Sequence, residues 1–162
     1  MNDLLHQSGF LGTSANWAAD VTLLLSALVA LLLTIGVVLA VRGQYRAHRW
    51  FQTGAVALNA VLVLWLMILP YRDFVAAPNN PGLLPLSAIA TTRIHAAVGT
   101  LALVFGLYVT LSANKIIPKA LRFNNYKAFM RVAFALYMLA TLIGLFVYIT
   151  WFVGNPSPPS YQ

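Results

Sequence analysis

Long apolar stretches alternate with short polar segments along the chain. Four stretches contain no Asp, Glu, Lys or Arg, and they cover residues 21–41, 50–70, 94–113 and 132–153. They are 20 to 22 residues long. A helix needs about 20 apolar residues to cross the hydrocarbon core of a bilayer, which is about 30 Å thick. The pattern therefore predicts four transmembrane helices, and it lacks the alternating segments of about 10 residues that are typical of a transmembrane β-barrel.

The segments between these stretches are too short to hold a soluble domain. Eight residues separate the first two stretches and 18 separate the last two. Connections of this length place consecutive helices side by side. We therefore expect an all-α, polytopic membrane protein, an antiparallel bundle of four transmembrane helices over residues 21–153. Residues 1–20 and the Pro-rich tail 154–162 form extracytoplasmic segments, and the loop 71–92, which contains APNNPGLLP, forms an outer cap.

Composition narrows the class of protein further. The chain has 60% apolar residues, only 8% charged residues and no cysteine. Soluble domains carry about 25% charged residues, because a surface that faces water needs them. The composition excludes a soluble globular domain and a disordered chain, and the lack of cysteine excludes a disulfide scaffold and a thiolate metal site. The lipid bilayer is the first partner that we expect.

Basic residues are concentrated in two of the connections. Eight of the ten lie in the first and third connections: Arg42, Arg46, Arg49, Lys115, Lys119, Arg122, Lys127 and Arg131. Arg72 and Arg93 lie on the other side, together with all three acidic residues, Asp3, Asp20 and Asp73. Because short basic loops stay in the cytoplasm, we expect a multi-pass protein of the cell inner (plasma) membrane with both termini outside the cytoplasm. The net charge of +7 then reflects topology and not nucleic-acid binding.

Small side chains recur at helical spacing in three of the predicted spans. They are Gly54, Ala57 and Ala60 in the second span, Ala96, Gly99, Ala102 and Gly106 in the third, and Ala133, Ala140 and Gly144 in the fourth. Small residues let helices approach closely in lipid. We expect these faces to look into the bundle or toward a partner subunit. Among the aromatic residues, Trp151 is expected at the outer membrane interface and Trp50 at the inner one.

The interior of the spans offers little chemistry. Buried ionisable groups are required by proton relays and ion-coupled carriers, and none lies near the centre of a span. Carboxylate pairs and a Ser or Cys nucleophile beside a histidine are also missing, so we do not expect an enzyme. Polar groups such as Asn59, Thr141 and Tyr137 are expected to hydrogen-bond between helices or to the backbone of their own helix.

Two histidines near the ends of spans are candidate cofactor ligands. His48 lies at the inner mouth of the second span and His95 about one turn inside the outer end of the third, so one iron cannot bind both. Met67 lies at a depth comparable to that of His95, and the two can form a ligand pair for haem b. Arg72 and Arg93 are placed to bind the haem propionates.

Two alternative roles of His95 stay open. The same imidazole is able to hydrogen-bond a quinone. In the simplest interpretation, His95 hydrogen-bonds to a backbone carbonyl or to Asp73, Met67 fills a gap in the packing, and the protein binds no cofactor.

Three segments of the sequence resemble a known family. RGQYRAHRW precedes the second span, TRIHAAVGTLAL opens the third, and NYKAFMRVAFALYMLATLIGLFVYI forms the fourth. Together they resemble the YozB-like family of small four-helix bacterial membrane proteins, over roughly residues 39–152. The resemblance implies a role in the maturation of haem-copper terminal oxidases. It also implies a pattern of four histidines, of which this chain has His48 and His95, whereas Tyr71 and Arg72 stand near the second position and Asn125 to Lys127 near the fourth.

Two functions therefore compete. The first is a non-catalytic accessory protein that helps to assemble, or forms a small subunit of, a haem-copper terminal oxidase among the other membrane subunits of a respiratory complex. The second is an electron-transfer subunit that binds haem b or quinone through His95. A transporter or channel is disfavoured because the chain lacks buried charge and internal repeats.

Overall fold

Four long helices dominate the structure, a computed structural model that describes residues 7–76 and 85–153. They are α1 (Trp17–Val41), α2 (Tyr45–Ala76), α3 (Leu86–Ala113) and α4 (Tyr126–Phe152). Each is long and apolar enough to cross a membrane, and this confirms the predicted all-α bundle of four helices. The helices have 25 to 32 residues and so extend beyond the uncharged stretches. α3, for example, begins at Leu86, eight residues before the predicted span.

α1 and α2 are joined by a tight turn with a glycine at its centre. Gly43 has a φ of +75°, in the left-handed region that glycine adopts without strain. Its N–H donates to the Ala40 carbonyl, and the N–H of Gln44 donates to the Leu39 carbonyl at 2.9 Å. These bonds satisfy carbonyls that would otherwise lack partners at the end of α1. The connection is therefore short, as the sequence predicts.

Pro70 lies inside α2 and does not end it. The predicted second span covers the uncharged residues 50–70. Proline has no N–H, and in a regular α-helix its ring collides with the carbonyl four residues earlier. In the structure, α2 is α-helical over Tyr45–Leu62 and Ile68–Tyr71 and π-helical over Val63–Met67 and Arg72–Ala76. The N–H of Ile68 reaches back five residues to the Val63 carbonyl. These wider turns shift the hydrogen-bond ladder around the proline, so the helix continues to Ala76.

The helices pack as two hairpins, α1 with α2 and α3 with α4, which then pack against each other. All four helices contribute to the main core, which comprises Val29, Leu33, Ala55, Val56, Ala102, Tyr137 and Ala140. Among the small residues of α3 and α4, Ala102, Gly106, Ala133 and Ala140 are buried as predicted, and Gly106 lies against the Tyr137 ring. A Cβ atom on Gly99, in contrast, would meet nothing within 4 Å. On α2 the pattern differs, because Gly54 and Ala57 are exposed. That face of α2 looks away from the bundle.

The N-terminal segment is folded onto the bundle. Residues 7–16, which we call the N-terminal strap, form a loop closed by the Trp17 N–H donating to the Gln7 carbonyl at 3.0 Å. The Ser14 hydroxyl donates to the Phe152 carbonyl at the end of α4, at 2.6 Å. We call this end of the bundle the capped end, and the opposite end, which holds the first and third connections, the basic end. Residues 1–6, most of APNNPGLLP (77–84) and the tail 154–162 lie outside the described residues.

An arginine holds the third connection in place. The Nε of Arg122 donates to the Ile117 carbonyl and its Nη2 to the Lys115 carbonyl, both at 2.8 Å. Lys115 itself has a φ of +61°, a strained value for a residue with a side chain. Beside it, the Phe123 and Phe129 rings stack with centroids 4.1 Å apart. Arg122 is thus part of the fold of this connection.

Candidate functional site around His95

His95 lies between α3 and α4 and bonds across the interface. Its Nδ1 lies 3.1 Å from the carbonyl oxygen of Ala140 on α4. A carbonyl can only accept, so Nδ1 carries the hydrogen and Nε2 of the neutral ring has a lone pair. The ring rests on Gly144, where a Cβ atom would come within 2.8 Å of the His95 Cε1. Gly144 therefore makes room for the imidazole, and the backbone carbonyl predicted as one partner of His95 is the partner observed.

His48 plays the same part in the other hairpin. Its Nδ1 lies 2.7 Å from the Gly36 carbonyl oxygen on α1. One turn further along α2, the Gln52 amide donates to the Leu33 carbonyl at 3.1 Å. Gly36 allows this approach, since its absent side chain leaves space that the Gln52 amide fills. Each hairpin thus has one histidine that bonds through Nδ1 to a backbone carbonyl of the neighbouring helix.

A buried polar and aromatic cluster lies next to His95, toward the capped end. The Trp151 Nε1–H donates to the Thr92 hydroxyl at 3.0 Å, and that hydroxyl donates to the Ala88 carbonyl at 2.8 Å. Phe74 of α2 meets Trp151 edge-on, with ring centroids 6.1 Å apart. Trp151 lies near the end of α4 and is only 5% exposed, so its ring faces the bundle. Because the Thr92 hydroxyl accepts the indole N–H of Trp151 inside the bundle, the whole Trp151 ring can be buried.

The remaining residues predicted to hold a haem are spread over α2 and α3. Arg93 donates from Nη2 to the Val75 carbonyl at 3.4 Å, which joins the ends of α3 and α2. Arg72 is largely exposed and pairs with Asp73, with Nε and Oδ1 2.6 Å apart. Met67 is the last residue of the first π-helical segment of α2 and is half-buried. The hydrogen bond of His95 runs to α4 and not to α2, where Met67 lies.

Asp20 forms a buried site that the sequence pattern does not predict. The side chain is fully buried at the first turn of α1, under the N-terminal strap. Its Oδ2 accepts from the N–H groups of Phe10 and Leu11 at 2.6 and 2.8 Å, and its Oδ1 accepts from the Tyr148 hydroxyl at 2.5 Å. The helix dipole also favours a negative charge at this position. From the sequence, Asp20 is expected only to lie outside the membrane. The one sequence signal for a buried carboxylate is its position in the first turn of a span.

The hydrogen bonds around Asp20 explain why residue 9 of the strap is a glycine. A Cβ atom on Gly9 would collide with Oδ2 of Asp20 and would lie 2.6 Å from the Ala15 carbonyl oxygen. No side chain fits there, because both neighbours are held by their own hydrogen bonds. The Tyr148 hydroxyl also lies 2.8 Å from the Thr13 hydroxyl, so the strap is attached to α4 as well as to α1.

Polar groups near the middle of the spans are used in two ways. The Thr34 and Thr141 hydroxyls donate to carbonyls of their own helices, as predicted. The Tyr137 hydroxyl is buried beside Asn59 without a hydrogen bond of good geometry among the described residues. The Ser112 hydroxyl is likewise buried and without a partner in the described ranges. Within residues 7–76 and 85–153, no group of three or more His, Cys, Asp or Glu is placed to hold a metal ion.

The fold is that of an all-α protein with four helices able to cross a membrane. No family model, no curated protein and no solved structure matches the chain. The resemblance to the YozB-like family therefore stays a prediction.

Proposed function

We propose that this protein is a non-catalytic accessory protein of a membrane respiratory complex, an assembly factor or small subunit of a haem-copper terminal oxidase. It resides in the inner (plasma) membrane with both termini outside the cytoplasm. The observation that carries the proposal is the exposed backbone of α2 at Gly54, where an added Cβ atom would meet nothing within 4 Å. The choice of a haem-copper oxidase as the partner complex rests on the resemblance to the YozB-like family.

The outer surface of the bundle supports an accessory role. A Cβ atom on Gly54 or Gly99 would meet nothing within 4 Å, and Gly54 is exposed, so the backbone of α2 is open at this position. A helix of another subunit is able to approach the backbone closely at such a glycine. The basic end also agrees with the proposed orientation, since its eight cations would face the cytoplasm.

Isolation of the tagged protein from its native membranes in a mild detergent tests this proposal. We expect oxidase subunits to co-purify in constant ratio. A matched pair of variants, Gly54→Leu and Gly99→Leu, separates contact at α2 from general damage, because a Cβ atom on Gly99 of α3 would also meet nothing within 4 Å. Loss of the subunits with Gly54→Leu alone is expected. Isolation of the wild-type protein without any respiratory subunit would contradict the proposal.

One observation favours the second candidate, a subunit that binds haem b or quinone. Histidines that ligate metals almost always donate their other ring N–H to a carbonyl or carboxylate. In His95 the Nδ1–H is held in that way by Ala140, and Nε2 keeps its lone pair. His95 Nε2 would be able to ligate a haem iron, and Arg93 and Arg72, which lie at the same end of the bundle, would bind the propionates.

Visible spectroscopy separates the two candidates. The accessory role predicts that the purified protein is colourless in both redox states. A Soret band with sharp α and β bands that disappear in His95→Ala, but not in His48→Ala, would favour the haem-binding subunit. Quinone recovered by organic extraction in a 1:1 ratio, and lost in the same variant, would favour quinone binding.

A further inference from the structure

The first connection carries three arginines that have no acidic partner among the described residues. Arg42, Arg46 and Arg49 are all exposed at the basic end. The acidic residues of the described ranges, Asp20 and Asp73, both lie at the capped end, at the start of α1 and the end of α2. Charges of one sign at such close spacing repel one another unless an anion lies between them. Any anion that neutralises them must come from outside the described residues.

A shallow open depression lies at the start of α2, and Arg46 lines it. Its walls are formed by Gly43, Gln44, Tyr45, Arg46, Ala47 and Trp50. Tyr45 and Trp50 are 70% and 67% exposed, although both are large aromatic side chains. Aromatic rings with one polar atom are favoured at the level of lipid headgroups, where one end is apolar and the other is wet. The depression thus combines a cationic side with an aromatic side.

The position of Arg46 and Arg49 at the start of α2 adds to the repulsion among the three arginines. Both belong to the first two turns of α2, whose first turn has no acidic residue, and the Gln44 side chain makes no capping hydrogen bond. The positive end of the helix dipole disfavours cations at this position. A bound anion would reverse the sign of this interaction.

The third connection differs although it has more cations. Its Arg122 is bound to the Ile117 and Lys115 carbonyls within the connection. None of its lysines lines the depression. The two basic loops therefore differ, because Arg46 at the start of α2 lines this depression, whereas Arg122 is used within its own connection.

We propose that the depression at the start of α2 binds the phosphate of an anionic phospholipid. Arg46, with Arg42 and Arg49 beside it, binds the phosphodiester oxygens, and Tyr45 and Trp50 contact the glycerol region. The acyl chains extend from the depression into the apolar span beside the exposed Phe51. The ligand is a lipid and not a free anion, because the same surface continues into the apolar span.

Native mass spectrometry of the purified protein with added lipid tests the proposal. Phosphatidylglycerol and the zwitterionic phosphatidylcholine are compared at equal concentration. We expect phosphatidylglycerol to be retained in preference, and Arg46→Gln to weaken its binding by about fivefold, since one basic residue near anionic lipid contributes about 1 kcal/mol. The control Lys119→Gln removes the same charge from the third connection and is expected to leave the affinity unchanged.

A triple variant, Arg42→Gln with Arg46→Gln and Arg49→Gln, should abolish the preference, whereas Lys119→Gln with Lys127→Gln and Arg131→Gln should keep it. Helix content by circular dichroism and a single peak in gel filtration show that each variant is folded. If both triple variants lost the preference for phosphatidylglycerol equally, net charge alone would explain the binding. That result would overturn the proposed site. Displacement of the lipid by inorganic phosphate at equal concentration would overturn the assignment to a lipid.

Discussion

The Tyr148 hydroxyl on α4 donates a hydrogen bond of 2.5 Å to the Asp20 carboxylate on α1, and so connects residues 128 positions apart in the sequence. The second oxygen of Asp20 accepts from the Phe10 and Leu11 N–H groups. A buried carboxylate is tolerated only when its hydrogen-bonding capacity is filled, and here three donors fill it. One side chain thus holds the strap, the start of α1 and the end of α4 together.

Replacement of Asp20 by alanine should release the N-terminal strap. The change leaves three donors without their acceptor, and we expect a loss of about 2 to 4 kcal/mol in the stability of the capped end. Hydrogen exchange at the Phe10 and Leu11 amides should then become at least about tenfold faster. Unchanged exchange at these amides would show that Asp20 does not hold the strap.

Tyr148→Phe is the graded control for this prediction. It removes one hydroxyl but keeps both backbone donors on Asp20, so we expect a smaller loss of about 1 kcal/mol. The Phe10 and Leu11 amides should remain largely protected. An effect on exchange as large as that of Asp20→Ala would mean that the strap is attached through α4 and not through the carboxylate.

A methyl group at Gly144 should break the His95 bond. In Gly144→Ala the new Cβ would lie 2.8 Å from the His95 Cε1, so the ring must move away from the Ala140 carbonyl. We expect a loss of about 1 to 2 kcal/mol, seen as a lower thermal midpoint in detergent. The matched control is Gly99→Ala on α3, where the new methyl group meets nothing and helix propensity rises. Equal midpoints for the two variants would argue against the close contact.

Helix number, fold class and approximate spans can all be predicted, because uncharged length alone decides whether a segment is able to cross a bilayer. Pro70 shows the limit of this approach. The predicted span ends at this residue, but α2 continues to Ala76 through π-helical turns that have no local sequence signal. Gly54 and Gly106 show another limit, since both are small residues at helical spacing, yet one is exposed and the other packs on Tyr137.

The candidate site can be predicted only in part. The sequence singles out His95, and a bond to a backbone carbonyl is one of the alternatives that it allows. The acceptor, Ala140, has no sequence signal, because the rotation of α3 relative to α4 decides which carbonyl the ring reaches. Asp20 escapes prediction because its donors come from a strap that, in sequence, resembles an ordinary polar leader.

The orientation of the bundle can be tested with single cysteines, since the chain contains none of its own. Ser8 is exposed at the capped end and Lys119 is exposed at the basic end. We expect Ser8→Cys to react with a membrane-impermeant maleimide in intact cells, and Lys119→Cys to react only after lysis. The opposite labelling would place the basic end outside and reverse the proposed topology.

Arg122→Gln should loosen the third connection. The change removes two hydrogen bonds of 2.8 Å that hold Lys115 in its left-handed conformation. Trypsin should then cut the purified protein after Lys115 and Lys119 about tenfold faster, which corresponds to a loss of about 1.4 kcal/mol. The control Lys127→Gln changes an exposed residue nearby and should not alter these two rates. Equal rates in the wild type and Arg122→Gln would show that the connection is held by other contacts.

The amount of haem-loaded oxidase in membranes of a deletion strain tests the proposed role most directly. The accessory role predicts that oxidase activity and the oxidase haem spectrum both fall without the gene and return when the wild-type chain is restored. Oxidase content and activity equal to those of the parent strain would contradict it.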